Sequence, residues 1–222
     1  MSTPHSISRS QQLLTLLTAC LAVLILPASL TGTSVAIPQI NAELHPGLVE
    51  LQWVVNAYNL TFAAFMLISG SLADILGRKR VFIFGTTLFA VCSLASVLAN
   101  NILLLDVARG LSGVGAAAMM TAGSALLAQA YTGEQLAKAF AIFGSAAGAG
   151  LAIGPSLSGF LVGLAGWRSV FGLHLAVSIV ILLLTVGVPA GQEAPGTSRI
   201  DWAGAGTFTP ALFAFVLAIM QG

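Results

Sequence analysis

Charged residues are scarce in this sequence. Eight Lys or Arg and seven Asp or Glu make up 7% of its 222 residues, and the mean hydropathy is +0.98. A soluble domain carries about 25% charged residues, so this chain cannot solvate a surface of its own size. The composition therefore predicts an integral membrane protein in contact with the lipid bilayer. The net charge of +1 gives no sign of a nucleic-acid partner, and we expect none.

Cysteines and catalytic clusters are also scarce. The two cysteines, Cys20 and Cys92, both lie in apolar runs, so we expect small buried side chains and no disulfide. The sequence shows no nucleophile–base pair, phosphate-binding loop or metal-ligand cluster. We therefore expect neither an enzyme nor a bound cofactor.

Long uncharged stretches take the place of these features. Each can hold the roughly 20 apolar residues that span a bilayer. They cover residues 10–42, 51–73, 81–105, 110–133, 139–167, 169–192 and 202–222. The sequence thus predicts an all-α membrane protein with seven transmembrane helices. We expect a cytoplasmic amino-terminal segment, a six-helix bundle with a long outer loop at 38–51, a cytoplasmic linker and a seventh helix, over residues 1–11, 12–188, 189–201 and 202–222.

The basic residues are distributed unevenly between the two sides of the predicted membrane. If the amino terminus lies in the cytoplasm, Arg168 alone falls on the outer side, and Arg109 lies inside a span. The six cytoplasmic residues are Arg9, Arg78, Lys79, Arg80, Lys138 and Arg199. Because cytoplasmic loops carry an excess of Lys and Arg, this distribution predicts a multi-pass cell-membrane protein with its amino terminus inside.

A short internal repeat indicates how the helices are related. The segment SGSLADILGRKRVF at 69–82 aligns without gaps to SGFLVGLAGWRSVF at 158–171, an offset of 89 residues. The offset corresponds to three helices, and an odd number places the two copies on opposite sides of the membrane. It therefore predicts a 3+3 inverted repeat, as in many secondary transporters. Chance similarity in a chain rich in Gly and Leu is the alternative.

Three polar or small-residue motifs interrupt the apolar runs. The first is a basic turn in which two glycines would let the chain reverse and an acid could pair with a base: Gly70, Asp74, Gly77, Arg78, Lys79 and Arg80. It could also be no more than an orientation signal.

The third motif is a small-residue face with a proline in helix 5: Gly150, Gly154, Pro155 and Gly159. It predicts close helix packing and a bend.

The second motif contains an arginine inside a span. A charge at that depth is costly, so Arg109 should face a cavity or a partner. Asp106, one turn earlier, could be that partner in a charge or proton relay, and a hydroxyl of helix 1 is the alternative. Gly113 and Gly115 would allow close packing around it. A purely structural arginine, neutralised by Asp106 or reaching the outer interface, remains the other interpretation.

Together these motifs resemble those of the major facilitator superfamily of secondary transporters. The basic turn resembles the gate motif between helices 2 and 3. Helix 4 resembles R-x-x-Q-G-x-G, linked to proton transfer, with Ser112 in place of Gln. The helix 5 motif resembles the antiporter signature, and the segments 51–58 and 200–204 resemble drug:proton antiporters with fourteen helices. The resemblance implies a six-helix half-bundle plus an extra seventh helix.

The function implied by this resemblance is efflux of small amphipathic drugs or metabolites by alternating access, driven by the proton gradient without a cofactor. The substrate cavity would include Ser29, Asn56, Asn59 and Ser112. Ser29 stands where those antiporters usually have Asp, which removes the carboxyl that a helix 1 proton pathway needs. His174 in helix 6 could titrate or be hydrogen-bonded within the bundle.

The length of the chain leaves three alternatives. The 222 residues hold one half-bundle and one extra helix, without a second half. The sequence could be an incomplete piece of a fourteen-helix transporter, or a half-size transporter that acts as a homodimer or with a second half-transporter. It could also be a membrane subunit that does not transport.

Overall fold

The computed structural model describes residues 8–190 and four single positions, 207, 210, 211 and 214. Six helices account for nearly all of the continuous part, and each is long and apolar enough to cross a membrane. They are α1 (Arg9–Leu44), α2 (Leu48–Leu76), α3 (Arg78–Val97), α4 (Ile102–Ala130), α5 (Gly133–Ala165) and α6 (Arg168–Val186). The prediction of an all-α, multi-pass membrane protein is confirmed for these residues. The predicted seventh helix lies outside the described residues, apart from the four single positions.

The helices extend further than hydropathy indicated. The first helix was predicted from residue 12 but begins at Arg9, where the Ser8 hydroxyl accepts a hydrogen bond from the Gln11 backbone at 3.3 Å. The predicted outer loop at 38–51 is wrong, because only residues 45–47 separate α1 from α2. Hydropathy reports where the bilayer ends, whereas a 36-residue helix is about 54 Å long and projects beyond it.

Two glycine turns reverse the chain at opposite ends of the bundle. Gly77 has φ 97° and Gly166 has φ 79°, conformations that side chains disfavour. Gly77 precedes α3, whereas Arg168, two residues after Gly166, donates a hydrogen bond to the Ala99 carbonyl just beyond the far end of α3. We refer to these as the Gly77 end and the Gly166 end.

The same interhelical bond occurs at both ends with the offset of the repeat. Lys79 donates to the Val188 carbonyl at the Gly77 end, and Arg168 donates to the Ala99 carbonyl at the Gly166 end. Donors and acceptors are each 89 residues apart in sequence. In both cases a cation binds a carbonyl just beyond a helix carboxyl end, where the helix dipole is negative. This correspondence supports an inverted repeat; that the two three-helix units superpose stays a prediction.

The main helix pairs pack closely at glycines, where the absence of a side chain lets the neighbouring helix approach. A Cβ added at Gly113 of α4 would collide with Thr61 of α2, and one added at Gly150 of α5 would collide with the Leu24 carbonyl of α1. The two contacts are again related by the offset of 89 residues, because Thr61 corresponds to Gly150 and Leu24 corresponds to Gly113. The glycine is therefore on α4 in one contact and on α5 in the other. Gly85 and Gly115 likewise allow a close approach of α3 to α4, with 2.7 Å from each added Cβ to its nearest atom. The predicted close packing of helix 4 is confirmed.

The least covered helix is α5. Its buried residues form one stripe against α1, and most of its other residues are exposed. The stripe consists of Ala139, Phe143, Gly150, Gly154 and Ser158. Gly144 and Gly148 lie outside that stripe, with open space where a Cβ would be. One broad helix face is therefore left uncovered by the described residues.

Candidate functional site

The centre of the candidate site is Arg109 on α4, which is 1% exposed. Its Nε donates to the Val54 carbonyl of α2 at 3.0 Å, and its Nη1 donates to the Ser29 hydroxyl of α1 at 3.0 Å. The guanidinium also lies over the Tyr58 ring, 4.3 Å from the centroid. One side chain thus joins three helices at a site closed to solvent.

Asp106 is not the partner of Arg109. Within the described chain no ion pair joins them, and the buried Oδ1 of Asp106 has no hydrogen-bond partner. The helix 1 hydroxyl, Ser29, is the partner that the structure shows. Nη2 of Arg109 is also buried without a hydrogen-bond partner. The site therefore holds an unneutralised cation and, one turn away, a carboxyl group with a free acceptor.

His174, for which titration or a hydrogen bond within the bundle was predicted, lies in an aromatic environment. Its ring lies between Phe89 and Phe171, at centroid distances of 6.1 and 6.0 Å, and its Nδ1 is buried without a partner. Phe171 connects it to Arg109, whose guanidinium lies 5.8 Å from that ring. The sequence placed His174 in the bundle, but the aromatic packing around it was not predicted.

An apolar cleft of about 220 Å³ lies next to Arg109, between α1, α2, α4 and α5. Tyr58 belongs to both, because its ring stacks on Arg109 and also lines the cleft. The other lining residues are apolar except for Asn59: Val23, Leu26, Pro27, Leu30, Asn59, Phe62, Met120 and Ala147. A concave apolar site with few polar groups is typical of small-molecule binding.

Of the four residues predicted to line a cavity, the structure places Asn59 in this cleft. Ser29 is buried against Arg109, and Ser112 is buried with its hydroxyl bonded to the Arg109 carbonyl at 2.8 Å. Asn56 lies on α2 and is not among the lining residues of the cleft. Tyr58 was not selected from the sequence, since an aromatic residue in a span is ordinarily core.

The basic turn at the Gly77 end binds helix carboxyl ends. Arg78 pairs with Asp74 at 3.8 Å and donates to the Ala125 carbonyl of α4 at 3.0 Å. Lys79 donates to the carbonyl of the last residue of α6, Val186, and to that of Val188 just beyond it. Arg80 is exposed and donates to the Leu76 carbonyl at 3.5 Å. These contacts exceed those of a simple orientation signal. Gly70, however, was expected to allow close helix approach and has open space at its Cβ position.

The helix 5 motif packs on α1 through two of its members. A Cβ at Gly154 would come within 2.9 Å of the Ala28 Cα, and Gly150 abuts the α1 backbone. Gly159 has only an ordinary contact, 3.8 Å from Val35, and Pro155 is exposed within the helix. The predicted close packing therefore rests on Gly150 and Gly154.

At the Gly166 end, the sequence analysis missed a polar cluster. Glu43 accepts hydrogen bonds from the Trp167 indole and the Arg168 guanidinium. Arg168 in turn lies over the Trp167 ring. The cluster joins α1 to α6, and the Arg168–Ala99 bond extends it to α3. The three residues are far apart in sequence except for one adjacent pair, so no local motif reveals it.

Comparison with known families agrees with this geometry. The model of the Major Facilitator Superfamily matches residues 19–221. The chain belongs to this superfamily. Membership of a transporter family confirms the prediction that the chain is not an enzyme.

Relatives of this major facilitator chain are named for drug resistance, efflux or export. The multidrug resistance protein Stp of Mycobacterium tuberculosis is 35% identical and matches 95% of this chain but only 40% of its own length. The drug efflux pump JefA of the same organism is 34% identical, with 95% and 42% covered. The tetracenomycin C resistance and export protein of Streptomyces glaucescens is 29% identical, with 99% and 41% covered. The chain thus spans less than half the length of these relatives.

Solved structures show the same fold. A crystal structure of the peptide transporter POT in complex with sulfate matches with a TM-score of 0.73 at 18% identity, over 93% of this chain and 45% of that one. At this identity the likeness shows the fold alone.

Proposed function

We propose that this chain is the amino-terminal half-bundle of an exporter of small amphipathic drugs or metabolites. The observation that carries the proposal is the apolar cleft at Tyr58 and Asn59, placed next to a buried arginine in a major facilitator bundle. The names of the relatives support efflux as the direction. The cleft would be this half's share of a site completed by a second half.

Alternating access requires two bundles that rock about a shared site. The uncovered surface of α5 in this half-bundle is where we place part of the contact with that second half. The gate motif would act in the same contact, since Asp74 remains 54% exposed and only loosely paired with Arg78. Gly150, Gly154, Pro155 and Gly159 would shape the α1–α5 wall of the passage. Residues 189–201 would be a cytoplasmic linker and 202–222 a seventh helix.

Proton entry is proposed as the driving force. Because Ser29 cannot carry a proton as a carboxyl can, we assign the exchange to Asp106, whose Oδ1 is buried and has no hydrogen-bond partner. Arg109, one turn away on α4, would belong to the same relay without forming an ion pair with Asp106.

Residues 1–222 alone are expected to be inactive in transport. A single bundle has no partner to rock against, so alternating access fails. The test is drug accumulation in a pump-deficient host expressing the chain alone, or together with the second half of a relative, with its oligomeric state measured in detergent. Restoration of efflux by the second half would support the proposal. Activity of a homodimer would favour a half-size transporter, and proton-dependent efflux by a proven monomer would refute the two-bundle requirement.

The orientation proposed for the chain places its amino terminus and the Gly77 end in the cytoplasm. In a background with Cys20→Ser and Cys92→Ser, single cysteines would be introduced by Arg9→Cys, Arg80→Cys and Asn101→Cys. An impermeant thiol reagent should label the Asn101 site in intact cells and the other two only after permeabilisation. Labelling of the Arg80 site from outside would overturn this orientation.

A further inference from the structure

The charged group beside the apolar cleft is a cation, the guanidinium of Arg109. The Arg109 guanidinium is buried and lies 4.3 Å from the centroid of the Tyr58 ring that lines the cleft. Both of its hydrogen-bond partners, the Ser29 hydroxyl and the Val54 carbonyl, are uncharged. In the part of the chain that the structure describes, no ion pair neutralises this cation.

No carboxylate of the described residues lines the cleft. None of its nine lining residues is acidic. Asp106 lies three residues before Arg109 on α4, whereas α4 lines the cleft through Met120 on the other side of Arg109. Asp106 is therefore farther from the cleft than the guanidinium is. A cation entering the cleft would meet a buried positive charge before any acid.

The aromatic wall of the cleft is also a poor site for a cation. A tyrosine ring attracts cations to its faces, but the guanidinium of Arg109 already lies over one face of Tyr58, and its charge repels a second cation brought to the same ring. A flat aromatic group can still stack against Tyr58 or Phe62, whose rings are parallel within 3° and 6.0 Å apart. The volume of about 220 Å³ exceeds the ~150 Å³ cavity that holds benzene, so the cleft fits about one or two fused rings.

We propose that this cleft takes the planar aromatic part of an uncharged or anionic compound and disfavours organic cations. The inference rests on the proposed function for its role in transport, where it names the substrate class. The charge preference itself is a binding property of the half-bundle and can be measured without transport.

Three naphthalene probes of similar size test the charge preference: 2-acetylnaphthalene (neutral), 2-naphthoate (anionic) and trimethyl(2-naphthyl)ammonium (cationic). Their affinities for the purified 222-residue chain would be measured by fluorescence in a non-ionic detergent. We expect the cation to bind at least about tenfold more weakly than the neutral probe, as two unit charges about 10 Å apart repel at an effective dielectric constant near 20. Equal or tighter binding of the cation overturns the proposal.

A negative charge introduced at Ser29 tests the cause of the preference. Ser29→Asp places a carboxylate where the hydroxyl now accepts from Arg109 at 3.0 Å, which should neutralise the cation and remove most of the tenfold discrimination. Ser29→Asn introduces a side chain of nearly the same size as Asp but without its charge, so it should keep the wild-type order of probe affinities. If both variants shift the order equally, the charge of Arg109 does not set the preference and the proposal fails.

A cleft-filling variant tests the location. Ala147→Trp should abolish saturable binding of the neutral and anionic probes, with folding verified by circular dichroism and size-exclusion chromatography. Unchanged binding in a folded variant would place the probes elsewhere and contradict the proposal. The wild-type probe series decides the charge preference even if a variant does not fold. If the chain shows the expected binding order but exports cationic drugs, only the assigned substrate class is refuted. If it shows no efflux at all, only the proposed function is refuted.

Discussion

Replacing Gly115 with alanine is expected to destabilise the bundle by about 3 kcal/mol. The added Cβ would lie 2.7 Å from the Gly85 carbonyl oxygen and 2.9 Å from the Phe89 backbone nitrogen of α3. Both atoms belong to a helix backbone and cannot rotate away, so α3 and α4 would have to separate. Thermal unfolding of the purified protein in detergent, followed by tryptophan fluorescence, would measure the loss.

The matched control is Gly148→Ala on α5. Nothing lies within 4 Å of the added Cβ, so the change should be neutral or stabilise the helix by about 0.5–1 kcal/mol, because alanine loses less backbone entropy than glycine. The two substitutions have the same chemistry and opposite expected signs. Equal melting temperatures would mean that α3 and α4 do not approach as closely as the structure shows.

Replacing Arg109 with methionine is expected to abolish transport by the chain joined to a second half, while the fold is retained. The guanidinium is buried without an acidic partner and with Nη2 unsatisfied, so its removal relieves an electrostatic cost. A lone arginine at the centre of a membrane helix costs about 2.5–3.5 kcal/mol on insertion scales, and methionine removes that cost. The stability of the half-bundle should therefore stay the same or rise, while drug efflux falls to the background level.

Asp106→Asn provides the accompanying comparison. Since no ion pair links Asp106 to Arg109, the stability effects of Asp106→Asn and Arg109→Met should add within about 0.5 kcal/mol. Strongly non-additive stability effects would instead indicate that Asp106 and Arg109 form an ion pair, which contradicts the structure. Normal efflux with Arg109→Met would establish the arginine as purely structural, the alternative that the sequence left open.

Much of the fold could be predicted because its signals are local. Six of the predicted spans correspond to helices, the turn at Gly77 was located by its glycine and its bases, and the motif of α4 was correctly interpreted as a site of close packing. Helix lengths were less accurate, since α1 continues through Pro38 to Leu44 without a hydropathy signal. Gly70 shows the limit of motif spacing, because a glycine at a family position turned out to have no close neighbour.

The candidate site was predicted in outline only. Arg109 could be selected because a charge inside an apolar span requires a partner, but both Asp106 and a helix 1 hydroxyl satisfied that requirement in sequence. Tyr58 carried no signal of its own, and the Glu43–Trp167–Arg168 cluster joins residues more than a hundred positions apart.

The sequence by itself determined that this chain is a helical membrane protein with an inverted pattern of turns, because hydropathy, charge and glycine act residue by residue on the chain's preference for lipid, water or a turn. Only the tertiary structure decided that Arg109 binds Ser29, 80 residues away, and stacks on Tyr58 rather than pairing with its neighbour Asp106. The direction of a long side chain depends on which helices pack around it. That packing depends on backbone contacts at Gly85, Gly113, Gly115 and Gly150 rather than on sequence distance.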